Sequence, residues 1–173
     1  KYFMQVFGKR LPVCFTKAED VYLYDTDGKK YTDFLSGIAV CCLGYSDEGY
    51  KSALKDCVDN LMHTSNYFYI EPQAKLAEIL CKATGMDRAF FSNSGAEAVE
   101  GAIKLARKYH YNAGKERKQI ITIKGSFHGR TMTTLAATGQ EKFHKAFKPL
   151  TQTFTYVEPG NIEELEKTIS DDT

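Results

Sequence analysis

Hydrophobic and polar positions change their period several times along this chain. Val21-Tyr22-Leu23-Tyr24 and Lys30-Tyr31-Thr32-Asp33-Phe34 alternate in strand fashion on either side of Asp27-Gly28. Two such runs around a turn-forming Asp-Gly pair predict a β-hairpin. Over about residues 47–61 the period becomes helical, with Ala53, Leu54, Val58 and Leu61 on one face. A loop through Tyr69 leads to Pro72, read as the first helical residue of a segment running to about Ala83. That helix is expected to bury Ala74, Ala77, Leu80 and Cys81, and Gly85 supplies its stop. Ala89-Phe90-Phe91 reads as a strand. The long pattern after Ser94 reads as a helix packing through Ala98, Ala102, Leu105, Ala106 and Tyr109. Residues 119–124 and 154–157 are further strands, and Asn161 with Glu164 marks the start of a last helix. The order strand, helix, strand, short helix, strand, helix predicts an α/β fold, preceded by a separate small subdomain holding the hairpin and its extended arm.

Composition narrows the function classes. A chain of 173 residues with 43% hydrophobic content can build one substantial core. A net charge of +1 argues against a nucleic-acid or membrane surface, and Lys115-Glu116-Arg117-Lys118 reads as a solvated loop. The five cysteines (Cys14, Cys41, Cys42, Cys57, Cys81) have no C-x-x-C or metal spacing, which points to reduced thiols in a cytoplasmic protein without a metal site. The longest apolar stretches are far too short to span a bilayer, and no signal peptide is visible. The start at Lys1 is expected to follow a trimmed initiator region.

Chemistry enters at two segments. Ser92-Asn93-Ser94-Gly95-Ala96-Glu97-Ala98 sits between a strand-like run and a helix start, where bare N–H groups and the helix dipole favour an anion. Gly95 and Ala96 would let a phosphate approach the backbone. Ser94 and Glu97 equally fit an ordinary capping box that needs no ligand. Gly125-Ser126-Phe127-His128-Gly129-Arg130 follows the next strand, where α/β sheets offer ligand crevices. Phe127 could lie on a planar heterocycle and Arg130 could grip a carboxylate in bidentate fashion. An ordinary loop, with Phe127 in the core and Arg130 in solvent, is the alternative. His63, His110 and His144 lack metal spacing and read as satisfied or surface histidines; His128 reads as a packing or supporting group. Tyr67, Phe68 and Tyr69, taken alone, read as core.

Taken together, these segments resemble the amino-terminal half of a class III (ornithine-type) pyridoxal-phosphate aminotransferase, most nearly of the acetylornithine branch. The resemblance runs through Tyr31-Thr32-Asp33-Phe34-Leu35-Ser36-Gly37-Ile38-Ala39-Val40, Leu43-Gly44, His63-Thr64-Ser65-Asn66 and Glu71-Pro72-Gln73. It continues through residues 92–109, 125–131 and Ala137-Thr138-Gly139-Gln140. It implies that residues 63–173 are the first half of a three-layer, mostly parallel α/β/α cofactor-binding domain, and residues 1–62 part of a small domain. It implies pyridoxal 5'-phosphate as cofactor, its phosphate on Ser94, Gly95 and Ala96 and its ring on Phe127. Arg130 would take the substrate α-carboxylate, and Ser36, Val40, Asn66 and Tyr67 would line the substrate entrance, partly across a dimer interface. The implied partners are small amino-acid and oxo-acid substrates and a second copy of the chain. The implied reaction moves the δ-amino group of N-acetylornithine to 2-oxoglutarate in arginine biosynthesis. Ornithine, succinylornithine and 4-aminobutyrate transaminases are the near alternatives, and a non-catalytic phosphate- or nucleotide-binding α/β module the distant one.

The chain also departs from that pattern. The family usually continues Leu-Gly with His-x-His-Pro, whereas Tyr45-Ser46-Asp47-Glu48 follows Gly44 here, with Asp47 available as a replacement N-cap. Ala96 stands where many members carry Thr, which removes a hydroxyl. The Schiff-base lysine and the acid against the pyridinium nitrogen belong to the family's second half, and no lysine here has that context. The chain is therefore expected to be part of a longer protein and inactive alone. Its apolar surface is expected to be covered by self-association or by complementary material.

Overall fold

In the computed structural model, residues 2–6 and 8–173 are described, so Lys1 and Phe7 lie outside the described residues. The chain folds as two units, Lys1–Ala74 and Lys75–Thr173.

The first unit is built on a three-stranded antiparallel sheet, β1 (Phe15–Glu19), β2 (Tyr22–Asp25) and β3 (Lys30–Thr32), in the order β1-β2-β3. The expected hairpin is β2–β3, with Tyr22 opposite Thr32 and Tyr24 opposite Lys30. Asp25 organises its turn: one carboxylate oxygen accepts from Asp27 and Lys29 N–H and the other from the Tyr31 hydroxyl. β1 carries Lys17 and Glu19, too polar for a clear strand pattern, and is held by pairing with β2. A short turn, α1 (Ser36–Ala39), precedes α2 (Glu48–Asp59). Asp47 caps α2 as expected, its carboxylate accepting from Tyr50 N–H at 2.6 Å. The face of α2 carrying Leu54 and Val58 is exposed among the described residues.

α3 (Glu71–Thr84) begins in the first unit and continues into the second, one residue earlier than the Pro72 start predicted from sequence. Gly85 ends it with φ +71° and an N–H bond to the Cys81 carbonyl. Ala77 and Cys81 are half-buried, but Ala74 and Leu80 are exposed, because nothing among the described residues covers that side.

The second unit holds α4 (Gly95–Asn112), β4 (Ile120–Ile123), α5 (Met132–Ala137), α6 (Glu141–His144), a 3-10 turn (Lys145–Phe147), β5 (Phe154–Val157) and α7 (Ile162–Thr168). β4 and β5 pair in parallel, Ile120 opposite Phe154 through Ile123 opposite Val157, so the intervening segment is a crossover. Beyond β4, Lys124 bridges to Gly139 in the same sense. The fold is α/β, as the alternation of elements requires. Residues 89–91 do not form the expected strand, since no strand among the described residues lies beside them to complete a ladder. Phe90 instead leans on Gly101 of α4, where a Cβ would sit 3.0 Å from its ring.

The core collects around α5, whose Leu135, Ala136 and Ala137 are buried together with Ile103 and Val157. α4 packs through a different face from the one predicted. Ile103 is buried and Ala96, Val99, Glu100 and Arg107 are half-buried, whereas Ala98, Ala102, Leu105, Ala106 and Tyr109 are exposed. The small residues gave the alternative face its appeal; specific polar contacts from Glu100 and Arg107 fix the other one. α7 starts where expected, with the Asn161 side chain accepting from Glu164 N–H at 3.0 Å.

Candidate active site

The α4 N-terminus is an open donor site. Ser94 is the N-cap, in extended backbone, its hydroxyl accepting from Glu97 N–H at 3.2 Å and donating to Glu97 Oε2 at 2.9 Å. The N–H groups of Gly95 and Ala96, which cannot bond within the helix, have no partner among the described residues. No atom lies within 4 Å of where a Gly95 Cβ would be, so the approach to Gly95 is open. Ser94 thus serves the cap, and the donors left for an anion are the two backbone amides.

The second motif is folded onto the first. Gly125, with φ +79°, turns the chain out of β4 and donates to the Gly139 carbonyl at 2.8 Å. Gln140 Nε2 donates to the Ser126 carbonyl at 3.0 Å, and His128 N–H donates to Thr138 Oγ1 at 3.0 Å. Ser126 Oγ lies 3.3 Å from His128 Nδ1, so the His128 ring serves the loop's own structure. Gly129 then passes so close to α4 and α5 that a Cβ would lie 2.8 Å from Ala96 Cβ and 2.5 Å from Thr134 Oγ1. Thr131 caps α5 and donates to Glu100 Oε1 of α4 at 2.5 Å. Two segments separated by a full helix and strand are therefore in contact.

Phe127 and Arg130 project from this loop into solvent. The Arg130 guanidinium lies 4.0 Å from the Phe143 ring centroid and 5.0 Å from that of Phe127, stacked on aromatics rather than paired. It has no carboxylate partner among the described residues. A stacked guanidinium without a carboxylate partner, on the residue after the glycine that touches the start of α4, is suited to an anionic ligand. Thr131, Thr138, Gly139 and Gln140 hold this arrangement together, although their own chemistry gave no hint of it; their partners lie 10 to 31 residues away.

Ser36, Val40, Asn66 and Tyr67 belong to the first unit. Ser36 opens a turn in which four successive residues have positive φ, at 50°, 61°, 65° and 67° for Ser36, Gly37, Ile38 and Ala39. The α1 turn is thus left-handed, a conformation costing roughly 1–2 kcal/mol per non-glycine residue. Asp33 stands at its start: Oδ1 accepts from Leu35 and Ser36 N–H, both at 2.9 Å, and Oδ2 accepts from the Tyr45 hydroxyl at 2.6 Å. The Tyr45 hydrogen bond and then the Ser36 amide hold the Asp33 carboxyl below the usual carboxylate range. The same bond pushes the Tyr45 phenol well above its ordinary value. Ser65, with φ +73°, turns the chain at Asn66 and Tyr67, and Tyr67 and Tyr69 are fully exposed rather than core.

Residues 3–172 match the family profile described as Aminotransferase class-III. The chain belongs to that family. It is 49% identical to the acetylornithine aminotransferase of Methanocaldococcus jannaschii and 47% identical to that of Wolinella succinogenes, in both cases over its whole length. It spans 44% of the length of each of these relatives. Among solved structures, the ornithine aminotransferase from Toxoplasma gondii superposes with a TM-score of 0.88 at 26% identity, over 96% of this chain and 40% of that one. The taurine:2-oxoglutarate aminotransferase from Bifidobacterium kashiwanohense, in complex with PLP and glutamate, gives 0.83 at 30% identity, over 94% of this chain and 37% of that one. No described helix is long and apolar enough to cross a membrane, and no group of metal-ligating side chains occurs among the described residues.

Proposed function

We propose that this chain is the cofactor-phosphate and carboxylate-binding part of an acetylornithine aminotransferase, acting on N-acetylornithine and 2-oxoglutarate in arginine biosynthesis. The observation that carries the reading is the seating of the Gly125–Thr131 loop on the α4 N-terminus, in a chain 49% identical to such an enzyme. The donor set fits pyridoxal phosphate: two free amides at a helix start for a phosphate ester, and an exposed phenylalanine for a planar ring. When bound, the cofactor supplies the electron sink for amino-group transfer.

The chain's own residues then bind and orient. Gly95 and Ala96 N–H would donate to the phosphate, with Ser94 holding the helix start in shape. Phe127 would carry the ring, and Arg130 would take the α-carboxylate common to donor and acceptor. Ser36, Val40, Asn66 and Tyr67 would shape the part of the pocket that meets the rest of the substrate. The proposed setting is a cytoplasmic homodimer, with residues 1–62 in a small domain and residues 63–173 beginning the cofactor domain.

The test is turnover by the full-length protein. Glutamate is expected to form from 2-oxoglutarate with N-acetylornithine in preference to ornithine, succinylornithine and 4-aminobutyrate. A preference for one of those donors would move the chain to another branch of the family. Failure to bind pyridoxal phosphate alongside tight nucleotide binding would remove the reading altogether.

A further inference from the structure

We propose that Tyr45 is a positioning residue for donor selection: through Asp33 it holds the left-handed turn at Ser36–Ala39 and so fixes the side chains that this turn presents. The inference rests on the reading of Ser36 and Val40 as part of the substrate pocket.

The geometry is a three-part clamp. The Asp33 carboxylate bridges the Tyr45 hydroxyl on one oxygen and the Leu35 and Ser36 amides on the other. Tyr45 is itself fixed. Its N–H donates to the Asp20 carbonyl at 2.8 Å, and a Cβ on the preceding Gly44 would lie 2.5 Å from that same oxygen. Ser46 accepts from Asp20 N–H at 2.7 Å, so the 44–46 segment is pinned to the β1–β2 turn. The lever therefore has a rigid base and acts on a strained end.

That end needs holding. Ser36, Ile38 and Ala39 would each relax to negative φ if released, because their Cβ atoms disfavour the left-handed region. Strain of this kind persists only where the surroundings over-determine it. The turn displays Ile38 and Val40, 80% and 77% exposed, as an apolar pair. A phenol suits the task because it donates one directed hydrogen bond and stays neutral. Its loss leaves Asp33 Oδ2 without that partner and the carboxylate that holds the Leu35 and Ser36 amides without its brace.

The experiment uses the full-length enzyme with Tyr45→Phe and Tyr45→His. In Tyr45→Phe the ratio of kcat/KM for N-acetylornithine to that for ornithine is expected to fall 5- to 10-fold, through KM, with kcat within 2-fold. In Tyr45→His, which restores a donor, at least half of that loss is expected to return. Hydrogen exchange at the Leu35 and Ser36 amides is expected to speed up in Tyr45→Phe by at least 10-fold. Both donors losing activity by the same factor, or unchanged protection of those two amides, would overturn the proposal. Asp33→Asn, read by the same ratio and exchange, decides the matter if Tyr45→Phe does not fold. The wild-type donor preference tests the functional reading separately: if the enzyme accepts a different pair of donors, the ratio is taken between those two.

Discussion

Gly129 shows what one missing Cβ does. It is buried with φ +139°, wedged between Ala96 at the start of α4 and Thr134 of α5. Gly129→Ala is expected to destabilise the chain by at least about 1–3 kcal/mol, seen as a lower urea midpoint with unchanged slope. Arg130 is the opposite kind of residue, exposed and held only by stacking on Phe143 and Phe127, so its variants report mainly on ligand. In the full-length enzyme, Arg130→Lys is expected to lose roughly 30- to 1,000-fold in kcat/KM, nearly as much as Arg130→Ala, because a point charge cannot reproduce a fork. Near-normal kinetics in Arg130→Lys would place the carboxylate elsewhere. Asp33 and Tyr45 give a pH signature. The Asp33 carboxyl is lowered on folding, so its contribution is present above the ordinary carboxylate pKa and is lost as pH falls through the lower, folded value. The Tyr45 phenol is raised, so its contribution is present below the ordinary phenol pKa and is lost as pH rises through the higher value. The stability difference between wild type and Asp33→Asn is therefore expected to stay flat through neutral pH and to shrink below about pH 4 and again above about pH 10. The Asp47 cap was readable because its partner lies three residues away; Tyr45 and Ser46 were not, because theirs lie 12 and 26 residues away.

Among the elements, local signals carried the ends and tertiary contacts decided the faces. Asp47, Gly85 and Asn161 marked helix boundaries through caps and a positive-φ stop, all interactions within one turn. The face of α4 could not be read from the same chain, because apolar positions lie all round it and Glu100 and Arg107 look like solvent residues in sequence. Thr131 and Thr153, which bond to them, come from other elements. A pair of substitutions tests the observed face in this chain. Ile103→Ala is expected to cost about 2–3 kcal/mol, while Leu105→Ala stays within about 0.5 kcal/mol, both from urea midpoints on protein dilute enough not to self-associate. The reverse order would restore the face predicted from sequence. The expected strand at residues 89–91 failed for a related reason: apolarity supplies a preference, but a strand exists only where another strand pairs with it.

Seen whole, the chain keeps few apolar side chains from water. Among the described residues the buried hydrophobic ones are Ile103, Leu135, Ala136, Ala137 and Val157, all in the second unit. It exposes 14251 Å² of surface, where a folded monomer of this size exposes roughly 8,500 Å². Residues 1–173 on their own are expected to self-associate and to bind a hydrophobic dye, measured by sedimentation and fluorescence; a monodisperse, dye-silent monomer would contradict this. The glycines, meanwhile, divide the whole chain by mutational tolerance. At Gly44, Gly129 and Gly139 an added methyl meets backbone or buried atoms, so a saturation library screened only for soluble protein is expected to empty at those three positions. Gly95 has open space around it and no left-handed backbone, so alanine there is expected to be neutral or slightly favourable in the same screen. Depletion of larger residues at Gly95 in a screen for activity, but not in one for folding, would mark the point where selection stops protecting the fold and starts protecting a ligand.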